Sequence, residues 1–339
     1  MAREWHFKSV GRAAMKSRQR TWALVLAAGD GTRLASLTTD AGGNAVPKQY
    51  CSLNGGSSLL QDALTRARRI APREQLCAIV SAQHERYWKP SLWSLPESNI
   101  IVQPRNCGTA IGILLGVLQI LAQDPLARIV FLPSDHDVRD ESLLANSLHE
   151  AVTQLTRTPS KLVLIGIEPE AADTELGYIV PGLLCDDGTR SVAQFVEKPP
   201  APIARELIAE GAVWNSFIFA AHGAALLGLI RERLPTIVDD MATALARDTR
   251  RSGEPLALQS LYQKLPSIDF SRVIIQQAAG RLRVVTAAAC GWSDLGTPQR
   301  VAEALRRIEP LDAVRRKSVP FVPAFINLAA QHAQLSLAS

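Results

Sequence analysis

Apolar residues along the chain fall into short continuous runs and into longer segments in which they recur every three or four positions. The runs at 22–28, 76–81 and 128–133 are almost uniformly apolar, which is typical of strands buried on both faces. The stretches 57–70 and 104–123 carry apolar residues at helical spacing. Strands that alternate with helices in this order predict an α/β fold, with a parallel sheet covered by helices on both faces.

The second half of the chain continues this alternation and adds an antiparallel element. Residues 178–181 and 191–196 are predicted to form two strands joined through the turn Asp186-Asp187-Gly188. The other predicted elements are a strand at 161–167, a helix ending near 210, helices through most of 224–279, a strand at 283–288 and a final helix ending near 308. The chain contains no internal repeat and no long low-complexity linker, so we predict one mixed domain.

Composition is that of an ordinary folded protein. The 339 residues are 47% hydrophobic and 20% charged, which is common for a folded soluble chain. No apolar run approaches the roughly 20 residues of a membrane-spanning helix, so we expect no transmembrane span. The five cysteines are scattered and never stand in C-x-x-C spacing. This pattern indicates reduced thiols in a cytoplasmic protein rather than a disulfide framework or a zinc site.

Net charge adds a modest preference for anionic ligands. The formal charge of +5 and the pI near 9.1 favour phosphorylated ligands but are too small to predict nucleic-acid binding. Much of the excess lies in residues 1–20, a basic segment that lacks the apolar core of a secretion signal. We predict that this segment is a loosely docked arm. The tail 309–339 is broken by prolines and is too short for a further domain.

The loop after the first predicted strand is the best candidate for a polyanion site. Gly29 and Gly31 permit the close backbone approach that phosphate binding through N–H groups requires. Arg33 adds a rigid positive fork beside the loop, and Lys48 adds a movable point charge further along. The spacing alone is equally compatible with a plain strand-to-helix turn, because it matches neither G-x-G-x-x-G nor G-x-x-x-x-G-K-[ST].

The complete string L-A-A-G-D-G-T-R-L at 26–34, followed by P-K-Q-Y at 47–50, resembles the signature of the sugar-phosphate nucleotidyltransferases. The P-K-Q-Y form is most similar to the mannose-1-phosphate guanylyltransferase branch. The resemblance implies a Rossmann-like mixed, mostly parallel sheet of the nucleotide-diphospho-sugar transferase type over residues 21–308. It further implies a nucleotide-binding half at about 21–160 and a sugar-binding half at about 161–308. One departure is the segment 35–46, which is longer and richer in Gly, Thr and Asn than usual.

Further motifs in family order imply roles for individual residues. The resemblance assigns Arg33 and Lys48 to catalysis. It implies nucleotide contacts from Ala28, Gly29, Gly31, Thr32, Arg105, Asn106 and Thr109. It implies sugar-phosphate contacts, through E-L-G-Y, F-V-E-K-P and W-N-S, from Gly177, Glu197, Lys198 and Asn215. Helix capping explains Asn106 or Thr109 equally well, and a Glu-Lys pair alone is equally typical of a solvated surface.

Two aspartates are the candidate metal ligands. Asp135 in L-P-S-D-H and Asp294 in G-W-S-D-L-G-T each follow an apolar strand, so a common sheet would bring both to one carboxyl-end cleft. The resemblance implies that they hold Mg²⁺ against phosphate oxygens. The alternatives are a cap or turn role for Asp135 and an N-cap role for Asp294, for which Thr297 competes. Because two carboxylates repel unless a cation is shared, asparagine variants are expected to keep the fold and to gain slight stability without metal.

The other aromatic and titratable candidates receive structural roles or none. His84, His136 and His149 show no metal-ligand spacing that carries weight. Trp214 and Trp292 are expected to pack at the border of the pocket rather than to bind ligand.

The implied reaction joins a sugar 1-phosphate to a nucleoside triphosphate, giving a nucleotide sugar and pyrophosphate. Mannose 1-phosphate with GTP, giving GDP-mannose, is the pair that the resemblance favours. Glucose 1-phosphate with UTP, dTTP or ATP is an alternative, as is a non-catalytic nucleotide-sugar sensor. Retention of the whole charge set argues against a sensor, which has no need of it. No nucleic-acid partner is expected, and a homo-oligomer is compatible with the sequence.

Overall fold

The computed structural model describes residues 20–31, 34–35, 37–39, 43–249 and 256–307. Thr32, Arg33, nearly all of the predicted basic arm and the whole predicted C-terminal tail lie outside these ranges, so what was expected of them stays a prediction. Within the described ranges the chain forms a mixed sheet of nine strands with an apolar layer on each face. The predicted mixed α/β architecture is confirmed.

The strands are numbered in chain order. They are β1 (Thr21–Ala27), β2 (Leu76–Ser81), β3 (Ile100–Gln103), β4 (Arg128–Pro133), β5 (Asp137–Val138), β6 (Leu162–Ile167), β7 (Gly177–Leu184), β8 (Arg190–Glu197), β9 (Val213–His222), β10 (Leu282–Thr286) and β11 (Trp292–Ser293). The large sheet has the order β3-β2-β1-β4-β9-β6-β10-β8-β7. β3, β2, β1 and β4 are parallel to one another, and β6 is parallel to β10.

The helices cover both faces of this sheet. They are α1 (Leu59–Arg68), α2 (Glu85–Ser91), α3 (Thr109–Gln123), α4 (Glu141–Arg157), α5 (Ala201–Ala209), α6 (Gly223–Arg233), α7 (Pro235–Thr249), α8 (Leu256–Lys264) and α9 (Pro298–Arg307). Buried side chains of α1 and α4 belong to one apolar layer, and those of α3, α6, α7 and α8 belong to the other. Among the described helices, none is long and apolar enough to cross a bilayer. The five cysteines are free thiols.

β9 is the strand that makes the sheet mixed. It runs antiparallel between β4 and β6, with Phe131 opposite Phe219, and these two rings stack at 4.3 Å between centroids. The register against β6 shifts between Leu164 and Gly166, which marks a bulge in the middle of β9, between Asn215 and Phe219. β7 pairs with both β8 and β9, so the far end of the sheet curls back on itself. One continuous sheet therefore spans both predicted halves, whose separate substrate roles stay a prediction.

A two-stranded ribbon of β5 and β11 lies beside the main sheet. Trp292 pairs with Val138, and Ser293 pairs with Asp137. Because β5 follows β4 and β11 follows β10, this ribbon joins the segments that continue from two strands of the main sheet. It therefore brings the surroundings of Asp135 and Asp294 together, as the sequence predicted.

Candidate active site

A cavity of about 400 Å³ lies at the carboxyl ends of β1 and β4. This is the edge of a parallel sheet where ligands bind in open α/β folds. Of the predicted site residues, those that line it are Ala28, Gly29, Asn106, Thr109, Asp135, Glu197, Lys198 and Asp294. The structure thus brings residues of the nucleotide, sugar and metal groups into one cleft.

Lys48 lies just beneath this cleft and joins two of its loops. The side chain is buried, and its Nζ donates to the carbonyl oxygens of Asp294 at 2.6 Å and Leu295 at 3.3 Å. The same Nζ forms an ion pair with Asp135 Oδ2 at 3.0 Å. Gly31 permits the approach of the first loop, because a β-carbon there would stand 2.8 Å from the Lys48 backbone nitrogen. The lysine is therefore fixed by three oxygens rather than mobile in solvent.

The two residues after Lys48 hold the first loop in shape. Gln49 Nε2 donates to the carbonyl oxygens of Ala27 at 3.2 Å and Gly29 at 2.8 Å, and Tyr50 Oη donates to Ala27 at 3.3 Å. Gln49 also lines the cleft, although sequence reasoning gave it no role. The P-K-Q-Y motif therefore acts largely by anchoring the loop after β1.

Each candidate metal carboxylate already has a cationic partner. Burial alone would raise the pKa of Asp135, but the charge and hydrogen bond of Lys48, together with smaller contributions from His136 and a backbone hydrogen bond, hold the pKa below its ordinary value. The Asp294 carboxylate pairs with Arg300 and accepts from the Gly296 backbone nitrogen at 3.0 Å. We therefore expect the asparagine variants to lose stability rather than gain it, because each substitution removes an ion pair instead of relieving a repulsion.

Other residues, rather than Asp135 and Asp294, cap the helices α4 and α9. Asp140 caps α4 by accepting from the backbone nitrogens of Ser142 and Leu143. Thr297 Oγ1 accepts from the backbone nitrogen of Arg300 at 3.3 Å, in the first turn of α9. Asp135 and Asp294 therefore cap neither helix, and both line the cleft.

His136 and Trp292 form a contact behind Asp135 that sequence reasoning missed. Trp292 Nε1 donates to His136 Nδ1 at 3.1 Å, with the two rings edge-on. An indole N–H only donates, so the neutral imidazole carries its proton on Nε2, which lies 3.9 Å from Asp135 Oδ1. Burial lowers the pKa of His136 to about 3, so the ring is neutral at ordinary pH. Trp292 packs at the pocket border, as predicted, and in addition orients this histidine.

The segment 105–109 meets a loop from the second half of the chain. Arg105 Nε and Nη2 donate to the carbonyl oxygens of Tyr262 and Leu265, both at 2.9 Å, and its side chain is not among those lining the cleft. In this structure Arg105 therefore anchors a loop, and its contact with the nucleotide stays a prediction. Asn106 Nδ2 donates to Asp30 Oδ2 at 3.1 Å, and Asn106 Oδ1 accepts from the Gly108 nitrogen.

Gly108 allows this meeting of the two segments. Its φ is +83°, and a β-carbon there would lie 2.6 Å from the backbone nitrogen of Ile268. Two backbone hydrogen bonds flank Gly108, each of 3.0 Å. The Ile268 nitrogen donates to the Cys107 carbonyl oxygen, and the Ala110 nitrogen donates to the Ile268 carbonyl oxygen. Thr109 Oγ1 accepts a hydrogen bond from the backbone nitrogen of Phe270 at 2.8 Å. The contact brings Asp269 and Ser271 to the cleft, and the sequence analysis had named neither.

Glu197 and Lys198 line the cleft at the end of β8. Burial raises the pKa of Glu197 to about 7, and the carboxylate of Asp269 adds to the shift. Gly177 packs directly against Glu197, because a β-carbon there would lie 2.6 Å from Glu197 Oε2. Asn215 is buried beside Gly177, and its Oδ1 accepts from the Phe217 nitrogen at 3.1 Å. These four predicted residues are therefore neighbours, and of the four Glu197 and Lys198 line the cleft.

Three non-glycine residues of the described chain adopt positive φ, and all three belong to this site. They are Lys198 at 51°, Phe217 at 57° and Leu295 at 49°. Lys198 and Phe217 line the cleft, and the Leu295 carbonyl accepts from Lys48. Residues held in this region cost about 1–3 kcal/mol each and concentrate at functional sites. The strain marks the cleft independently of any motif.

Comparison with known proteins identifies the family to which this chain is similar. A sequence profile described as nucleotidyl transferase matches residues 22–310. The chain is 29% identical over 279 residues to the xanthan biosynthesis protein XanB of Xanthomonas campestris pv. campestris, which covers 81% of this chain and 57% of that protein. It is 28% identical over 281 residues to a mannose-1-phosphate guanylyltransferase of Salmonella muenchen, again covering 81% and 57%. The chain thus spans little more than half the length of these curated relatives.

Two solved structures share the fold. A protein of Thermus thermophilus described as a mannose-1-phosphate geranyltransferase superposes with a TM-score of 0.72 at 29% identity, covering 86% of this chain and 80% of that one. A UDP-glucose pyrophosphorylase complexed with UDP-glucose gives a TM-score of 0.52 at 14% identity, covering 84% and 97%. The second likeness concerns the fold alone. Together they confirm the predicted fold class.

Proposed function

Because the chain belongs to the nucleotidyl transferase family, we propose that it joins a sugar 1-phosphate to a nucleoside triphosphate. The products are a nucleotide sugar and pyrophosphate. The observation that carries this proposal is a single cleft lined by Asp135, Asp294, Glu197 and Lys198, with Lys48 paired to Asp135 beneath it. Such a cleft holds cations and carboxylates in the two places where a triphosphate and a sugar phosphate would meet.

The reaction is a displacement at phosphorus. An oxygen of the sugar phosphate forms a bond to the α-phosphorus of the triphosphate, while the bond from that phosphorus to the departing pyrophosphate breaks in line with it. The nucleophile is already anionic, so no general base is required. Lys198 holds the attacking phosphate, and Lys48 with Arg33 offsets charge on the triphosphate. The protein thus contributes position and charge neutralisation.

The cleft is suited to Mg²⁺. Asp135 and Asp294 both line it, and carboxylate oxygen is the ligand that Mg²⁺ prefers. Within the described ranges no cluster of three or more His, Cys, Asp or Glu is arranged to hold a metal. Mg²⁺ usually completes its shell with substrate phosphates and water, so two carboxylates suffice. When bound there, the ion would neutralise phosphate charge. Asp135 and Asp294 would then either contact the ion together with Lys48 and Arg300 or exchange these partners for the ion.

Mannose 1-phosphate with GTP is the substrate pair we propose. Its support is the P-K-Q-Y and W-N-S-F-I-F motifs and the similarity to proteins named mannose-1-phosphate guanylyltransferase. Glucose 1-phosphate with UTP, dTTP or ATP is the alternative pairing. A non-catalytic nucleotide-sugar sensor is the alternative class, and the presence of Lys48, Asp135, Lys198 and Asp294 together argues against it, since a sensor has no need of the whole charge set. Location in the cytoplasm and assembly into a homo-oligomer stay predictions.

A pyrophosphate-release assay over all pairs of common nucleoside triphosphates and sugar 1-phosphates tests the proposal. GTP with mannose 1-phosphate is expected to give the highest kcat/KM, and omission of Mg²⁺ is expected to abolish release. Faster turnover of glucose 1-phosphate with UTP would replace the substrate pair while keeping the reaction class. Tight binding of a nucleotide sugar without pyrophosphate release from any pair would instead establish the sensor.

A further inference from the structure

Arg300 connects two loops that each contribute a residue to the lining of the cleft, Glu175 from one and Asp294 from the other. It stands in the first turn of α9, and its Nη1 and Nη2 pair with Asp294 and Asp173 respectively. The three side chains are 15%, 18% and 22% exposed, so their charges interact in partly desolvated surroundings. Sequence reasoning named neither Arg300 nor Asp173.

The Asp173 loop is a tightly bonded unit that leads to the sugar side. Asp173 Oδ1 accepts from the Glu175 backbone nitrogen at 2.7 Å. The Tyr178 hydroxyl donates to the Asp173 carbonyl oxygen at 3.0 Å and accepts from the Asp173 nitrogen at 2.7 Å. Glu175 lines the cleft, and Gly177 packs against Glu197. A displacement of Asp173 would therefore reach the predicted sugar-phosphate residues.

The Asp294 loop leads to the metal side in the same way. The Asp294 carbonyl oxygen accepts from Lys48 Nζ, which also pairs with Asp135. The Asp294 carboxylate is held by the Gly296 nitrogen together with Arg300. The orientation of this carboxylate therefore depends on a residue of the final helix.

We propose that Arg300 is a positioning residue that couples the metal-side loop to the sugar-side loop. The inference rests on the proposed function, because it takes Asp294 as a ligand of Mg²⁺ and the Asp173–Gly177 loop as a support of the sugar phosphate. An arginine suits the position, since its planar fork presents separate N–H groups to two carboxylates at once. A lysine ammonium is a point charge on a flexible stem, so it cannot hold both carboxylates in fixed directions.

The test compares Arg300→Lys and Arg300→Met with Arg306→Met. Arg306 is an exposed arginine of the same helix, and its Nε donates to the Ala302 carbonyl oxygen. Mn²⁺ binding, measured from the unbound ion by electron paramagnetic resonance, reports the metal side without turnover. Binding of mannose 1-phosphate by calorimetry, and its KM in the assay, report the sugar side. Thermal melts verify that each variant is folded, and Arg300→Lys carries the test if Arg300→Met does not fold.

Both Arg300 variants are expected to weaken Mn²⁺ binding about tenfold. This factor is at the lower end of the loss in metal affinity that follows removal of a group orienting a metal ligand. They are expected to weaken mannose 1-phosphate binding by a similar factor, whereas Arg306→Met changes neither. Asp173→Asn is expected to affect the sugar side alone, since it leaves the Arg300–Asp294 pair in place. Removal of a positive charge by itself would tighten Mn²⁺ binding. Tighter or unchanged Mn²⁺ binding, or a loss confined to one side, would therefore overturn the coupling.

The same measurements separate this inference from the proposed reaction. If the wild-type protein releases no pyrophosphate with any pair, the proposed function fails. Losses of Mn²⁺ and mannose 1-phosphate binding in both Arg300 variants would still support the coupling. Normal turnover in wild type and in both variants would uphold the reaction and overturn the coupling.

Discussion

Phe217 shows how one residue can combine strain with a role in the site. Its φ of 57° lies in the left-handed region, which costs a residue with a β-carbon about 1–2 kcal/mol. This conformation closes the turn in which the Phe217 nitrogen donates to Asn215 Oδ1. The ring packs edge-on against Phe219 and Phe270. We infer that the strain persists because it allows the hydrogen bond that fixes the amide of Asn215.

Phe217→Gly is expected to be more stable than Phe217→Ala by about 1 kcal/mol. Both variants lose the ring, but only glycine adopts a left-handed backbone without a steric cost. Urea unfolding of the two proteins measures the difference. Ala220→Gly in the same strand is the control, where glycine is expected to cost roughly 0.5–1 kcal/mol. Equal stability of the two Phe217 variants would show that the local backbone is not strained.

Glu197 is expected to make the protein less stable as the pH rises towards neutrality. Burial, with help from Asp269, raises the pKa of its carboxyl from an ordinary 4.5 to about 7 in the folded protein. The folded state thus keeps a proton that the unfolded chain releases. The contribution of this group to stability is therefore complete below about pH 4.5 and is lost as the pH rises through about 7.

Thermal melts of wild type and Glu197→Gln between about pH 5 and 8 test this expectation. Glutamine cannot ionise, so the Tm of the variant should fall less over this range than that of wild type. Asp269→Asn should reduce the dependence in part. Glu206→Gln, at an exposed position on α5, is the matched control and should follow wild type. Parallel curves for wild type and Glu197→Gln would exclude a raised pKa.

At the scale of elements, the apolar runs predicted the buried strands closely. The predicted runs at 76–81 and 128–133 coincide with β2 and β4, because both strands are buried along their whole length. β9 has no uniform apolar run, since Asn215 and Ser216 lie within it. Ser216 Oγ donates to the Ile165 carbonyl oxygen at 2.7 Å, across the bulge, which satisfies a buried polar group in a way that periodicity does not reveal. β5 and β11 are too short to produce a periodic signal at all.

The contact between the segments around Gly108 and Ile268 gives a prediction at this scale. Gly108→Ala is expected to lower the free energy of unfolding by at least about 2 kcal/mol, because a β-carbon at φ +83° would be strained and would overlap the Ile268 backbone. Gly228→Ala, in the exposed part of α6 with open space around it, is the control and should gain roughly 0.5–1 kcal/mol. Chemical unfolding measures both, and an unaffected Gly108→Ala protein would mean that the two segments separate at little cost.

At the scale of the whole molecule, the sequence predicted which residues meet but not how they are held. Asp135 and Asp294 lie far apart in the chain, and their position after apolar strands was enough to place them in one cleft. Their counter-ions were not predictable, because the partners depend on side-chain directions at the ends of different elements. The contacts of Arg105 were not predictable for the same reason: a motif position does not show that a guanidinium binds carbonyl groups of another loop.

The two lysines give the prediction that spans the cleft. Lys48 is held beneath the proposed metal side by three oxygens, whereas Lys198 lines the proposed sugar side in a left-handed backbone conformation. Lys48→Ala is therefore expected to depress kcat by about a hundredfold or more, because it removes charge stabilisation and unpairs Asp135. Lys198→Ala is expected to raise chiefly the KM for the sugar 1-phosphate, about tenfold, because it removes a contact made before and during the reaction.

Lys89→Ala, at an exposed position on α2, is the control and should resemble wild type. Steady-state kinetics with each substrate varied in turn make the distinction, and a rise in the nucleotide KM alone for both site lysines would show that the cleft is not divided in this way.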